Sequence, residues 1–305
     1  MTRSALALIV AFGAIAATAA LGACGGKPRV AQPSPSQAHE QTVADHILAL
    51  LPQGAQVVVE VDLARLRANP TVGAVVTRAL TAGAIEKLPP FGVADTVVLA
   101  AYGVGTAEAA TLTVIASPAA VPGATRITDG LYAMGPADWI AQLEARAALG
   151  ETGGSRLTAP ADLLALRDRA MPADAPGASL RLTARLPFDA RVALARQTGL
   201  ESAPAQLSIW VDVVDDLAII IDADALDPGE RATKKSIARL TRVIRGALAV
   251  LTNDPTTRAL GLPGSLANAR LVARGTWVRT IIAVGPKHLQ RVVERATALL
   301  AKGPS

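Results

Sequence analysis

The densest concentration of reactive groups in the chain is acidic. Asp212, Asp215, Asp216, Asp222, Asp224, Asp227 and Glu230 fall within 19 residues. A calcium loop needs oxygen ligands at fixed spacing and a glycine at its sixth position for the sharp turn. Counting from Asp222, Asp224 takes the third position, but Leu226 takes the fifth and Asp227 the sixth, so the pattern fails. By the period of two, Asp222 and Asp224 share one strand face. That leaves two readings: a weak divalent-cation site, or a solvated sheet face running into a helix whose N-terminal dipole Asp227 and Glu230 complement. We expect the second, with no metal and no cofactor. Other catalytic patterns fail as well. Gly177-Ala178-Ser179-Leu180-Arg181 lacks the last glycine of a G-x-S-x-G elbow. There is no H-E-x-x-H and no G-x-x-x-x-G-K-[ST], and Gly103-Val104-Gly105 meets Glu108 where a dinucleotide fingerprint has its third glycine. A histidine triad would have to use His46 or His288, both on predicted helices, with His288 on the surface of a first turn. A carboxylate-based hydrolase needs two acids converging in a cleft, and nothing in the sequence brings a named pair together. The chain is expected not to be an enzyme.

Where the sequence does carry chemistry is at its start. Arg3 is followed by an apolar run from Ala5 to Ala23 that ends Leu21-Gly22-Ala23-Cys24, the chain's only cysteine. A short positive region, an apolar stretch and small residues before a cleavage point have the shape of a secretory signal. Leu21-Gly22-Ala23-Cys24 resembles the lipobox of bacterial lipoprotein precursors: an aliphatic residue, two small ones, then cysteine. The resemblance implies that residues 1–23 are removed, that Cys24 is the lipidation site, and that its acyl chains hold the protein on a membrane. Gly25 rather than Asp at the second mature position implies passage to the outer membrane, with the folded part exposed to the periplasm or the cell surface. Without the resemblance, the residues also allow an ordinary signal cut after Ala17-Thr18-Ala19, or an uncleaved anchor.

Composition narrows the remainder. The 305 residues suit one or two domains, and 51% hydrophobic against 18% charged excludes disorder over most of the length. One cysteine and three histidines give no disulfide scaffold and no structural zinc site within one copy. The formal charge of +5 falls to +4 without Arg3, too weak a bias for a nucleic-acid partner. Aromatic residues make up 3%, which argues against stacking sites for sugars or bases.

These groups are positioned by a sequence that reads as α+β, in two tandem units of mostly antiparallel sheet with helices packed on one face. Residues 24–41 form a Pro/Gly/Ser/Gln-rich tether, spanning on average about 20–25 Å. The first unit occupies 42–150. It opens with a helix capped by Thr42 and stopped by Pro52, then a strand over 56–62 and a helix begun by Asn69-Pro70. Strands near 95–102, 110–117 and 131–134 and a helix through 148 complete it. A Gly/Pro-rich connector, 151–178, has room for a helix over 161–169. The second unit, 179–305, opens with a half-buried strand in which Leu180, Leu182, Ala184 and Leu186 alternate with Arg181, Thr183 and Arg185. Trp210 alternates with the aliphatic face of a later strand and is expected to be exposed, whereas Trp139 and Trp277 are expected to pack. Ala133-Met134-Gly135-Pro136 and Ala283-Val284-Gly285-Pro286 precede a helix at the end of each unit, an echo that fits duplication or coincidence.

A helix expected over 228–251 is the most polarised element. Ile237, Leu240, Val243, Ile244, Ala247, Leu248 and Leu251 form one arc, and Arg231, Lys234, Lys235, Arg239, Arg242 and Arg245 the opposite one. Such a face can meet anionic lipid or an acidic partner, or can simply face water while the apolar arc packs on the sheet. The expected function is a non-catalytic binding or scaffolding module in the envelope, attached to membrane through Cys24 and open to a protein partner that the sequence does not identify. A carrier of a lipid or other apolar ligand, with a cavity between sheet and helices, is the alternative, and a hydrolase the second.

Overall fold

The computed structural model describes residues 42–81, 91–152, 159–173, 175, 177–224, 231 and 233–301. The signal segment, Cys24, the tether with His39, Asp227 and Glu230 lie outside the described residues. The chain opens with α1 (Val43–Leu50), where the Thr42 hydroxyl accepts the Asp45 N–H and the Asp45 carboxylate accepts the Thr42 N–H, a reciprocal cap. β1 (Val57–Asp62) leads into α2 (Leu63–Ala68) and α3 (Gly73–Thr81). The Asn69 carboxamide oxygen accepts from the Thr71 and Val72 N–H groups, so it caps the chain one turn before the regular helix begins. β2 (Thr96–Tyr102), β3 (Ala110–Ala116), β4 (Thr125–Thr128) and β5 (Leu131–Met134) then form antiparallel pairs, and α4 (Ala137–Thr152) follows. The connector contributes α5 (Ala161–Arg167), prolonged by a 3-10 turn.

The second half runs β6 (Leu180–Arg185), α6 (Phe188–Thr198), β7 (Gln206–Val213), β8 (Leu217–Asp224) and α7 (Lys234–Asn253), then α8 (Pro255–Leu260), α9 (Pro263–Ala267), β9 (Arg270–Arg274), β10 (Trp277–Val284) and α10 (Pro286–Ala301). Helix α7 starts at Lys234, not at 228. Thr233 caps it, its hydroxyl accepting the Ser236 N–H at 3.1 Å, and this leaves Arg231 before the helix.

All ten strands join one sheet in the order β4-β5-β3-β2-β1-β6-β7-β8-β10-β9. The α+β, antiparallel class therefore holds. The two halves meet at β1 and β6, paired from Val57↔Ala184 to Val61↔Leu180. Outward from that seam the order is β1-β2-β3-β5-β4 on one side and β6-β7-β8-β10-β9 on the other. Each half thus has the same strand order, and each ends in a 16-residue helix after its Gly-Pro pair.

Partners in an antiparallel pair point to the same side, so the registers carry each face across the seam. One face contains Val58, Thr183, Ser208, Asp222 and Arg279; the other contains Val61, Leu180, Val211, Ile219 and Ile282. In the first half, α1, α4 and α5 cover the Val58 face, where Ile47, Leu50, Val98, Leu112, Val114 and Leu143 form a core. In the second half, the helices cover the opposite face, where Leu260, Leu266, Leu289 and Val292 pack on Val211, Leu217, Ile219 and Ile282. Each half keeps its helices largely to one face, but the two halves use opposite faces. Helix α3 crosses the seam, its Val75 and Val76 joining the second core together with Val72 just ahead of it.

The expectation of a half-buried β6 is overturned. Arg181 is 9% and Thr183 2% exposed, because β6 lies at the centre of the ten-stranded sheet and the connector covers the face on which they stand. Trp210, expected at the surface, is buried on that same face.

Candidate functional site

Two places gather charged side chains. The first is the Val58 face where it passes under the connector. Arg167, at the end of α5, reaches Glu60 of β1 through Nε and Nη2 at 2.7–3.0 Å, and its Nη1 lies 2.7 Å from Asp45. Arg167 and Glu60 are both buried. Burial works against the Arg167 charge, but the charges of Glu60 and Asp45 outweigh it and hold the guanidinium above its ordinary value. Burial likewise pushes Asp45 upward, and Arg167 together with the Thr42 bonds brings it below the usual carboxylate range. Neighbouring Arg181 is held below its ordinary value by burial and by the charge of Arg167.

Along the same face, Asp212 accepts two bonds from Arg65 at 2.7 and 2.8 Å and one from the Ser179 hydroxyl at 3.0 Å. Asp222 accepts two from Arg279 at 2.6 and 2.8 Å, and Arg279 also donates to the Arg169 carbonyl. These bonds raise Arg65 and Arg279 above their ordinary values. The connector is seated by further polar contacts. The Ser208 hydroxyl bonds Arg167 O and Ala170 N, the Trp210 indole N–H donates to Gly177 O at 2.9 Å, and the Arg169 guanidinium stacks 3.8 Å from the Trp277 ring centroid.

This corrects the reading of the acidic cluster as a solvated sheet face. Asp212, Asp222 and Asp224 are 6%, 3% and 6% exposed, and among the described members of the cluster only Asp215 and Asp216, at the hairpin tip, are exposed. Asp222 and Asp224 do share a face, but Arg279 occupies Asp222, and among the described residues no cluster of three or more His, Cys, Asp or Glu could hold a metal ion. Ser179, centre of the imperfect elbow motif, is 1% exposed and orients Asp212. His46 is exposed on α1, and His288 is half-buried, with Nε2 3.1 Å from Gly261 O. Trp139 packs against Tyr102 with ring centroids 4.2 Å apart, and Trp277 is buried.

The second place is a cleft of about 910 Å³ between α6 and the first turns of α7. Pro187 starts α6, and Gly199 ends it in the left-handed region at φ 68°, which turns the chain so that Leu200–Ala203 lines the cleft as well. Leu200 packs toward Gly246 of α7. Arg191 and Arg196 line the cleft from α6, and Lys235 and Arg239 from α7, beside Glu201, the one carboxylate among the described lining residues. Glu201 pairs with Arg239 at 3.2 Å and Arg242 at 3.4 Å.

Of the predicted basic face, Lys234, Lys235, Arg239, Arg242 and Arg245 stand exposed on α7, and Arg231 is exposed ahead of it. The opposite arc packs only in part. Leu240 is buried against Ala223 and Val278 and Val243 is buried as well, while Leu251 remains 40% exposed. The sequence reading missed α6 altogether, and with it the second wall of the cleft. An alanine- and arginine-rich segment with one buried residue, Ala190, has no apolar periodicity to detect; Pro187 and Gly199 as start and stop signals were the available clue.

Among the described residues, no helix is long and apolar enough to cross a membrane. No protein-family model matches the chain, and no curated protein matches it. Among solved structures, the chain is similar to one described as "Structure of crystal form I of TP0453", with 10% sequence identity and a TM-score of 0.42 over 84% of this chain and 99% of that one.

Proposed function

We propose that this chain is a lipid-anchored envelope protein, held through Cys24 at the outer membrane, that works as a non-catalytic binding module with the α6–α7 cleft as its contact surface. The observation that carries the reading is the contrast between the two charged places. Under the connector, Glu60, Asp212 and Asp222 are each engaged by an arginine, so those carboxylates are committed to holding the fold. In the cleft, among the described residues, Arg196, Lys235 and Arg239 stand beside one carboxylate, Glu201, at an open surface, which is an arrangement suited to a partner.

The anchor and the contact surface are tested separately. Incorporation of labelled palmitate into the full chain, and its loss in Cys24→Ser, is the expected result for the anchor; equal labelling of both would overturn it. For the surface, a photoreactive amino acid at Leu200 is expected to give crosslinked species in intact cells that the same group at exposed Leu149 does not. Equal patterns from the two positions would contradict the assignment.

A further inference from the structure

Resting on the reading of the cleft as a contact surface, we propose that its occupant is the headgroup and first acyl carbons of an anionic phospholipid. The cleft has two chemistries. Val192, Ala195, Leu200 and Ala203 supply apolar lining, and Phe188, at the start of α6, belongs to that lining while 69% exposed. Cations join the lining from both helices. A phosphodiester has one full negative charge and oxygens that match the guanidinium fork, while exposed aromatic and aliphatic groups beside Lys and Arg are the composition of surfaces that enter the headgroup boundary of a membrane.

The charge is available. Glu201 offsets only part of the cation cluster at Arg239 and Arg242, and Lys234, Lys235, Arg196 and Arg245 form no ion pair among the described residues. An acidic peptide could satisfy the cations but gives the exposed Phe188 and the apolar lining no defined partner. A zwitterionic lipid would place its own ammonium group among the arginines. Charge complementarity and the amphiphilic lining together favour the anionic lipid.

The test uses the full chain in non-ionic detergent, with dihexanoyl-phosphatidylglycerol, dihexanoyl-phosphatidylcholine or inorganic phosphate added and bound species counted by native mass spectrometry. The expected result is binding of the phosphatidylglycerol probe at least about tenfold tighter than of the phosphatidylcholine probe, weakened as ionic strength rises toward about 1 M. Arg196→Glu/Lys235→Glu, at two exposed positions, is expected to lose about tenfold or more, while Arg270→Glu/Arg274→Glu on the edge strand β9 leaves binding unchanged. Equal binding of the two lipids, equal binding of inorganic phosphate, or an equal loss in both charge-reversed variants would each overturn the proposal. Failure here together with cleft-specific crosslinking from Leu200 would mean a binding surface with a different occupant; failure of both would remove the cleft from the functional account.

Discussion

The two halves share a strand order and bury their sheet differently. On the Val58 face, the first half presents Val98, Leu112 and Val114 to α1 and α4, an apolar interface. The second half presents Arg181, Ser208, Trp210, Asp212, Asp222 and Arg279 on the same face, covered by the connector and, at Asp212, by Arg65 of α2. Apolar packing is tolerant of sliding, whereas a fork-shaped guanidinium bonded to a buried carboxylate accepts one position. The ionic half therefore fixes where the connector lies across the seam. Its cost is the desolvation of each charge, which the pairing must offset.

The largest effect should come from breaking the ion pair that ties the connector to β1 at the seam. Arg167→Met leaves the Glu60 carboxylate buried without its partner and is expected to lose about 3–5 kcal/mol in urea unfolding. Glu60→Leu/Arg167→Met should recover that loss and reach between the parent value and about 4 kcal/mol above it. A double variant as unstable as the single one would mean that the pair does more than neutralise itself. In the apolar half, Leu143→Ala empties a fully buried position on α4 and should cost about 2–5 kcal/mol. A cost below that range would show that this interface repacks freely.

A smaller effect probes how the connector is seated. Trp210→Phe keeps a six-membered aromatic ring but removes the pyrrole ring and with it the N–H that donates to Gly177 O. About 1 kcal/mol should be lost, with faster proteolytic cleavage near Gly177; unchanged cleavage would show that the bond does not hold the segment. The smallest effect is one of pH. Because Arg167 and Thr42 outweigh burial at Asp45, its folded value lies below the unfolded one, which is about 3.9. Its contribution is fully present above that unfolded value and is lost as pH falls through the lowered folded one. Asp45→Asn should therefore be less stable than the parent at neutral pH, with the gap closing below about pH 4. A gap that persists to lower pH would assign the effect to packing of the side chain rather than to its charge.

Much of this architecture was legible in the sequence. Thr42 with Asp45, the alternation in β7 and the Gly-Pro pairs announced α1, the strands and the closing helices because each signal is local. The ten-stranded sheet was not legible, since pairing of β1 with β6 joins residues more than a hundred positions apart and no local pattern encodes it. That pairing also reversed two assignments. Arg181 and Trp210 alternate as surface residues would, yet the centre of the sheet and the connector bury both. The basic face of α7 could be seen from its 3.6-residue period, but the cleft could not, because α6 has almost no apolar stripe to betray it.

The central claim is that the ionic face is architecture and the α6–α7 cleft is the contact surface. The most direct measurement is the crosslinking yield from a photoreactive group at Leu200 in the Glu60→Leu/Arg167→Met background, alongside its urea unfolding curve. A folded variant with undiminished crosslinking is the predicted result. A folded variant whose crosslinking is lost would place the working site under the connector instead.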